Sequence, residues 1–275
     1  MESVTAQSES MLPETLVFVR HGESDENRIE KLGMRSVSLL GRLKYLLNKR
    51  KTKHLDYDLL LSEHGIHQAE VAGESIKQNF QNFDIALTSP YLRAIQTAEH
   101  MKLDMNWEIN NLLMERDWGF RYLNDRTKKF KRDYNSNVYF ITSADGEKLY
   151  SVMLRANQFL DLLKHRECKR VISVTHNEFI FTMMDAIENL PVHVHIKNYR
   201  ENKLPNCAIV AYTRINPKDN SEIRDNFAWR KVIDPINPSN SWDGGEWHEI
   251  ANINSYTEQE LGKIVADSES KFLYK

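Results

Sequence analysis

A chain of 275 residues with 41% hydrophobic and 28% charged residues is ordinary for a globular protein and long enough for one large α/β domain or two small ones. Its formal net charge of −2 offers no overall field to nucleic acid or an anionic membrane, and no apolar run approaches the roughly 20 residues that span a bilayer. Two cysteines, Cys168 and Cys207, exclude a disulfide framework, and the polar, acidic N-terminus lacks the regions of a secretory signal, so a soluble cytoplasmic protein is expected.

In chain order, residues 1 to 14 read as a disordered lead-in. The run TLVFV at 15–19 is continuously apolar, as a strand buried on both faces is, and it passes straight into Arg20, His21 and Gly22. Residues 28 to 60 read as an irregular, basic insertion, with Arg42, Lys44, Lys49, Arg50, Lys51 and Lys53 uninterrupted by any acid. Residues 62–80 read as a helix capped by Ser62, with Ile66, Ala69, Ala72 and Ile76 on one side. FDIALTS at 83–89 is a second buried strand, and 90–102 a helix with Pro90 in its opening turn. WEINNLLME at 107–115 reads as a third strand ending on Glu115, followed by a charged and aromatic excursion. Residues 144–167 read as a helix whose apolar face is Leu149, Val152, Met153, Ala156, Phe159 and Leu163. KRVISVTH at 169–176 is a fourth strand, running directly into a helix from Asn177 to about Ala186. CAIVAYTR and NFAWRKVID read as later, paired strands, and an extension from about 215 to 275 mixes turn residues with one closing helix.

Strands alternating with helices predict a largely parallel sheet covered on both faces, and such sheets bind ligands beyond the carboxyl ends of their strands. Four strand ends here carry His21, Arg93 (just inside the following helix), Glu115 and His176. Two histidines, guanidiniums and one carboxyl facing a common crevice fit phosphoryl transfer through a histidine.

The stretches RHGESDEN, LSEHGIHQAE, FDIALTSPYLRAIQTAE, LLMERDWGF, ADGEKLYSVMLRANQFLDLL, VISVTHNEFI and LPNCAIVAY occur in that order between about residues 15 and 212. In this the chain resembles the histidine phosphatase superfamily, in particular its branch of phosphoglycerate mutases and mutase-like phosphatases. The resemblance implies a three-layer α/β/α sandwich around a mostly parallel sheet. It makes His21 the nucleophile, kept neutral by Arg20 and Arg93, whose guanidiniums also bind the phosphate oxygens. His176, if protonated, adds a donor beside a helix N-terminus; Asn27 donates to the phosphate; and Gly22 turns the chain while staying clear of it. Glu115 is the implied general acid and base, and Arg116 an adjacent substrate contact. No metal or cofactor is implied, because fixed cations neutralise the phosphate.

Where the family usually has glycine after its second histidine this chain has Asn177, which narrows the pocket or supplies a donor. The segment between Glu115 and His176 looks short for a mutase and the 28–60 insertion long, which favours phosphatase over mutase-type phosphotransferase. A third reading is a non-catalytic module that binds phosphoproteins or phosphorylated ligands. The basic run 42–53 reads as a solvated face, with a rim for a polyanionic phosphorylated metabolite or phosphoprotein as its functional alternative; no motif supports nucleic acid. His193 and His195 lack a third ligand and read as a solvated or satisfied pair. Asn206 reads as a turn residue, both cysteines as apolar fillers, and Trp242 and Trp247 as residues that pack the tail onto one domain spanning 15–275.

Overall fold

The computed structural model describes residues 11–24, 56–117, 146–190, 202, 204–250, 257–259, 262, 263 and 266. Within them the chain runs β1 (Thr15–Arg20), α1 (Glu63–Asn79), β2 (Ile85–Thr88), α2 (Leu92–His100), β3 (Trp107–Ile109), α3 (Leu149–Lys164), β4 (Arg170–Thr175), α4 (Asn177–Glu188), β5 (Ile209–Thr213), β6 (Trp229–Ile233) and β7 (His248–Glu249). The strands form one seven-stranded sheet in the order β3-β2-β4-β1-β5-β6-β7. The first four run parallel, and β5, β6 and β7 extend the sheet antiparallel to their neighbours.

Alternation along β1 builds the layers. Leu16 and Phe18 enter a core shared with Val152, Phe159 and Leu163 of α3 and Phe179 and Met183 of α4. Val17 and Val19 enter a second core with Ala69, Ala72 and Ile76 of α1 and Ala94 and Ala98 of α2. All four strand side chains are buried, which is why the run is continuously apolar. The result is the expected α/β/α sandwich. Ser62 caps α1 as its sequence predicts, its hydroxyl accepting from the Gly65 N–H at 3.1 Å.

Several local expectations are corrected. Residues 11–14 are not a loose lead-in: Leu12 packs on the α3/α4 core, Pro13 is buried, and Arg214 donates from its backbone N–H to Glu14 O (2.9 Å) and from Nε to Pro13 O (3.3 Å). The third strand stops at Ile109, and a 3₁₀ turn over Asn111–Leu113 intervenes before Glu115; the Asn110 side chain caps that turn, accepting from the Leu112 N–H at 2.9 Å. Helix α2 opens at Leu92 with Tyr91 as its N-cap, so Pro90 precedes the helix. Helix α3 starts at Leu149 rather than 144 because Glu147 is engaged elsewhere: its N–H donates to Asp117 O (2.6 Å) and its carbonyl accepts from Arg116 Nε (3.0 Å).

The paired strands of the C-terminal part are present as β5 and β6, and both tail tryptophans pack. Trp242 lies against Phe181 (ring centroids 6.5 Å apart) and beneath the Arg230 guanidinium (5.4 Å), while Trp247 meets Phe80 edge-on at 6.4 Å. Among the described residues, no helix is long and apolar enough to cross a membrane.

Candidate active site

Parallel pairing turns the carboxyl ends of β1, β2 and β4 the same way, and the residues after them meet. His21, the first residue beyond β1, is buried, and its backbone is held on two sides. Its N–H donates to Thr175 O at the end of β4 (2.9 Å), and its carbonyl accepts from Asn206 Nδ2 (3.0 Å). The imidazole Nδ1 lies 2.8 Å from Gly22 O. A carbonyl oxygen only accepts, so Nδ1 carries the proton and Nε2 presents its lone pair. Arg93 Nε donates to that Nε2 at 3.3 Å. Burial holds the His21 pKa well below the ordinary imidazole value, assisted by the charges of Arg93 and Arg20 and opposed by the hydrogen bond to Gly22 O. The Nδ1–H tautomer and the neutral state thus arise from the same few neighbours.

His176 follows β4 and is the N-cap of α4, wholly buried, its ring centroid 5.0 Å from that of His21. Burial lowers its pKa too, with further contributions from Arg93, His21, Arg20 and Arg155. That direction disfavours the imidazolium, the condition on which the sequence reading made His176 a charged donor. Its Nε2 meets Ser89 Oγ at 2.8 Å, while Nδ1 is buried without a hydrogen-bond partner among the described residues. Tyr91 bridges the two cationic and aromatic elements: its ring meets His176 edge-on at 4.9 Å, and the Arg93 guanidinium carbon stands 4.8 Å from its centroid. Arg20 is anchored by a hydrogen bond from its guanidinium to Leu204 O. Two guanidiniums, a buried ring nitrogen and the start of a 12-residue helix form a site suited to a phosphate dianion.

Glu115 stands two residues past the 3₁₀ turn rather than at the end of a strand. The Thr175 hydroxyl donates to Leu113 O (2.7 Å), fastening the turn beside the residue that precedes His176. The half-buried Glu115 carboxylate accepts from the Arg116 backbone N–H at 3.0 Å. Asn177 opens α4 with a buried amide oxygen that has no hydrogen-bond partner among the described residues.

Two residues make contacts that their sequence did not predict. The Arg116 side chain, expected to touch substrate, is wholly buried, donating from Nη1 to Glu178 Oε1 at 3.3 Å and from Nε to Glu147 O. Gly22 has no positive φ, and its missing side chain has a packing reason. A Cβ there would stand 2.6 Å from Gly65 O, and one on Gly65 would stand 2.1 Å from Glu23 O, so two glycines let β1's exit touch the start of α1. Asn27, the 42–53 run and the His193–His195 pair lie outside the described residues.

Ser89, Tyr91 and Arg155 were missed by the sequence reading, and Asn206 was read only as a turn residue. Ser89 lies within FDIALTSPYLRAIQTAE, where a serine between a strand end and Pro is its signal. Cys207 is the buried filler expected, its thiol pushed up by burial; Cys168 is half-buried against the α3/α4 core. No group of three or more His, Cys, Asp or Glu among the described residues is arranged to hold a metal ion.

The model of the histidine phosphatase superfamily, branch 1, matches residues 16–221. Among solved structures, a mycobacterial glucosyl-3-phosphoglycerate phosphatase superposes with a TM-score of 0.54 at 19% identity, over 78% of this chain and 96% of that one. Phosphoserine phosphatase from Entamoeba histolytica, solved with 3-phosphoglyceric acid, gives 0.53 at 23% identity over 73% and 90%. The α-ribazole phosphatase of Shigella flexneri gives 0.53 at 16% identity over 77% and 95%. At these identities the likeness is one of fold.

Proposed function

The chain belongs to branch 1 of the histidine phosphatase superfamily, and we propose that it hydrolyses a phosphomonoester through a phosphohistidine on His21, with no metal taking part. The His21 Nε2 lone pair attacks phosphorus, the P–O bond to the leaving group breaks, and Glu115 gives its proton to the departing oxygen. Water then attacks the phosphohistidine, its proton passes to the Glu115 carboxylate, and the N–P bond returns its electrons to Nε2. Arg20 and Arg93 bind the non-bridging oxygens, the charge balance that in other phosphoryl-transfer sites falls to a metal. His176 donates to the same oxygens from its unclaimed Nδ1, with Ser89 donating into Nε2.

The observation that carries this reading is the hydrogen bond from His21 Nδ1 to Gly22 O, which leaves Nε2 as the lone-pair nitrogen, buried and next to Arg93. As Nε2 gains phosphorus the ring becomes cationic, and the Nδ1–H donates more strongly to that carbonyl. The phosphatases of like fold support a small phosphorylated metabolite as the substrate class, with a phosphoprotein the alternative. The test is p-nitrophenyl phosphate hydrolysis in EDTA by wild type, His21→Ala and Glu115→Gln. Turnover that survives chelation and is lost in His21→Ala is expected; equal turnover in wild type and His21→Ala would refute it.

A further inference from the structure

The turn that delivers Glu115 is gripped from behind by an arginine that itself belongs to a built ion pair. Arg155, on α3, donates from Nη1 to Leu112 O at 2.8 Å and to Met114 O at 3.0 Å. Its other edge meets both oxygens of Glu147, Nε to Oε1 at 2.9 Å and Nη2 to Oε2 at 2.8 Å. The two side chains are 14% and 20% exposed, so the pair is shielded enough to hold one geometry. Its guanidinium carbon also lies 5.7 Å from the ring of Phe179, two residues into α4.

The Met114 carbonyl belongs to the peptide unit that ends at the Glu115 nitrogen. Fixing that oxygen fixes the plane from which the Glu115 Cα–Cβ bond departs, and fixing Leu112 O two residues earlier removes the remaining rotation of the turn. Only a planar fork can hold two carbonyls and a carboxylate at once; a lysine ammonium in the same place has no such pre-set directions. Glu147 is in turn immobilised by its backbone, which is bonded to Asp117 O and Arg116 Nε on the far side of Glu115. The two supports therefore bracket Glu115 along the chain.

We propose that Arg155, clamped by Glu147, is the positioning residue that aims the Glu115 carboxyl at the leaving oxygen, so that its importance scales with how much the leaving group needs a proton. This rests on Glu115 being the general acid. The test is a ratio: kcat/KM for p-nitrophenyl phosphate, whose leaving group departs readily as an anion, divided by kcat/KM for phenyl phosphate, whose leaving group is far more basic. Both rates come from the same sample, so a loss of folded protein cancels. Glu115→Gln is the reference and raises the ratio. Arg155→Lys and Glu147→Gln are expected to raise it in the same direction by about tenfold, a part of the 10²–10⁴ that a well-placed acid contributes. A ratio unchanged in both variants while Glu115→Gln still raises it would reduce the clamp to a structural feature and overturn the proposal. A ratio unchanged in Glu115→Gln itself would instead remove the general acid, and this inference with it.

Discussion

His21 illustrates how little a single residue type says about its chemistry. The same imidazole on a surface would titrate near neutrality; here one backbone carbonyl sets its tautomer, and burial with two guanidiniums keeps it neutral. His176 is held neutral by similar means. The depressed values fix the sign of a stability effect. Below about pH 6.5 each imidazole in the unfolded chain takes up a proton that the folded chain refuses, so stability falls with pH by up to about 1.4 kcal/mol per pH unit per histidine until the folded pKa is passed. Urea unfolding without phosphate at pH 7 and pH 5.5 is expected to show this loss, and His176→Gln to reduce it; equal losses in both proteins would contradict the account. Ser89→Ala removes the one hydrogen-bond partner of the His176 ring among the described residues. A net loss of about 1 kcal/mol in transition-state binding, about fivefold in kcat/KM, is expected from steady-state kinetics. At this scale the sequence was most legible where chemistry is concentrated in a short motif. Arg20, His21, Arg93 and His176 come together as read. Arg116 and Arg155 resisted the reading because an arginine in a sequence does not show its partner. The first is spent on buried Glu178, and the second on carbonyls more than 40 residues away.

Among elements, the decisive junction is between the exit of β1 and the first turn of α1. Ser62, the helix cap, also receives the chain after His21: its N–H donates to Glu23 O at 2.9 Å, and its hydroxyl lies 3.2 Å from both Glu23 O and Glu23 Oε1. Gly22 and Gly65 permit that approach, and it ties the backbone beside His21 to a rigid helix. Gly65→Ala, whose Cβ would stand 2.1 Å from Glu23 O, is expected to cost about 2–3 kcal/mol by overpacking and to lower kcat as the backbone after His21 shifts. Thermal melts and p-nitrophenyl phosphate kinetics measure the two effects, and a variant of unchanged Tm would contradict the contact. A second test concerns the buried Arg116–Glu178 pair, wholly hidden from solvent on both sides. Arg116→Met leaves Glu178 uncompensated and is expected to cost about 3–5 kcal/mol in urea unfolding. Hydrophobic periodicity read the helices and the continuous strands well, because burial is what it encodes. It could not see that Asn110 caps a 3₁₀ turn ahead of Glu115, or that the peptide groups of Glu147 are taken by Asp117 and Arg116. Both are hydrogen-bonding decisions made across the chain.

For the molecule as a whole, the sheet does not end where the family match does. Beyond residue 221, β6 pairs with all five residues of β5 and β7 adds an edge. The addition is fastened by a buried polar cluster: Tyr212 donates to Glu188 Oε1 at 2.5 Å, and Arg230 Nη1 lies 2.7 Å from both oxygens of Glu188, stacked over Trp242. This cluster sits at the end of α4, opposite its His176 end. Arg230→Leu is therefore expected to lower stability by about 3 kcal/mol, since it strands a buried carboxylate, while kcat for p-nitrophenyl phosphate stays within about twofold of wild type, as for sites too distant to couple. The strands of this region were legible from the runs CAIVAYTR and NFAWRKVID. That they extend the sheet of the first four strands was not, because antiparallel addition is a property of pairing and leaves no periodic trace.

The central claim is that phosphate passes through His21 itself. The direct measurement is rapid mixing of wild type with p-nitrophenyl phosphate in EDTA, quenching into alkali, and peptide mass spectrometry under basic conditions that preserve phosphohistidine. The account predicts phosphate on His21 that appears before steady state, accumulates further in Glu115→Gln if water activation is slowed more than transfer, and is absent from His21→Ala. Turnover in EDTA with no phosphorylated His21 at any time, or phosphate on His176 instead, would contradict it.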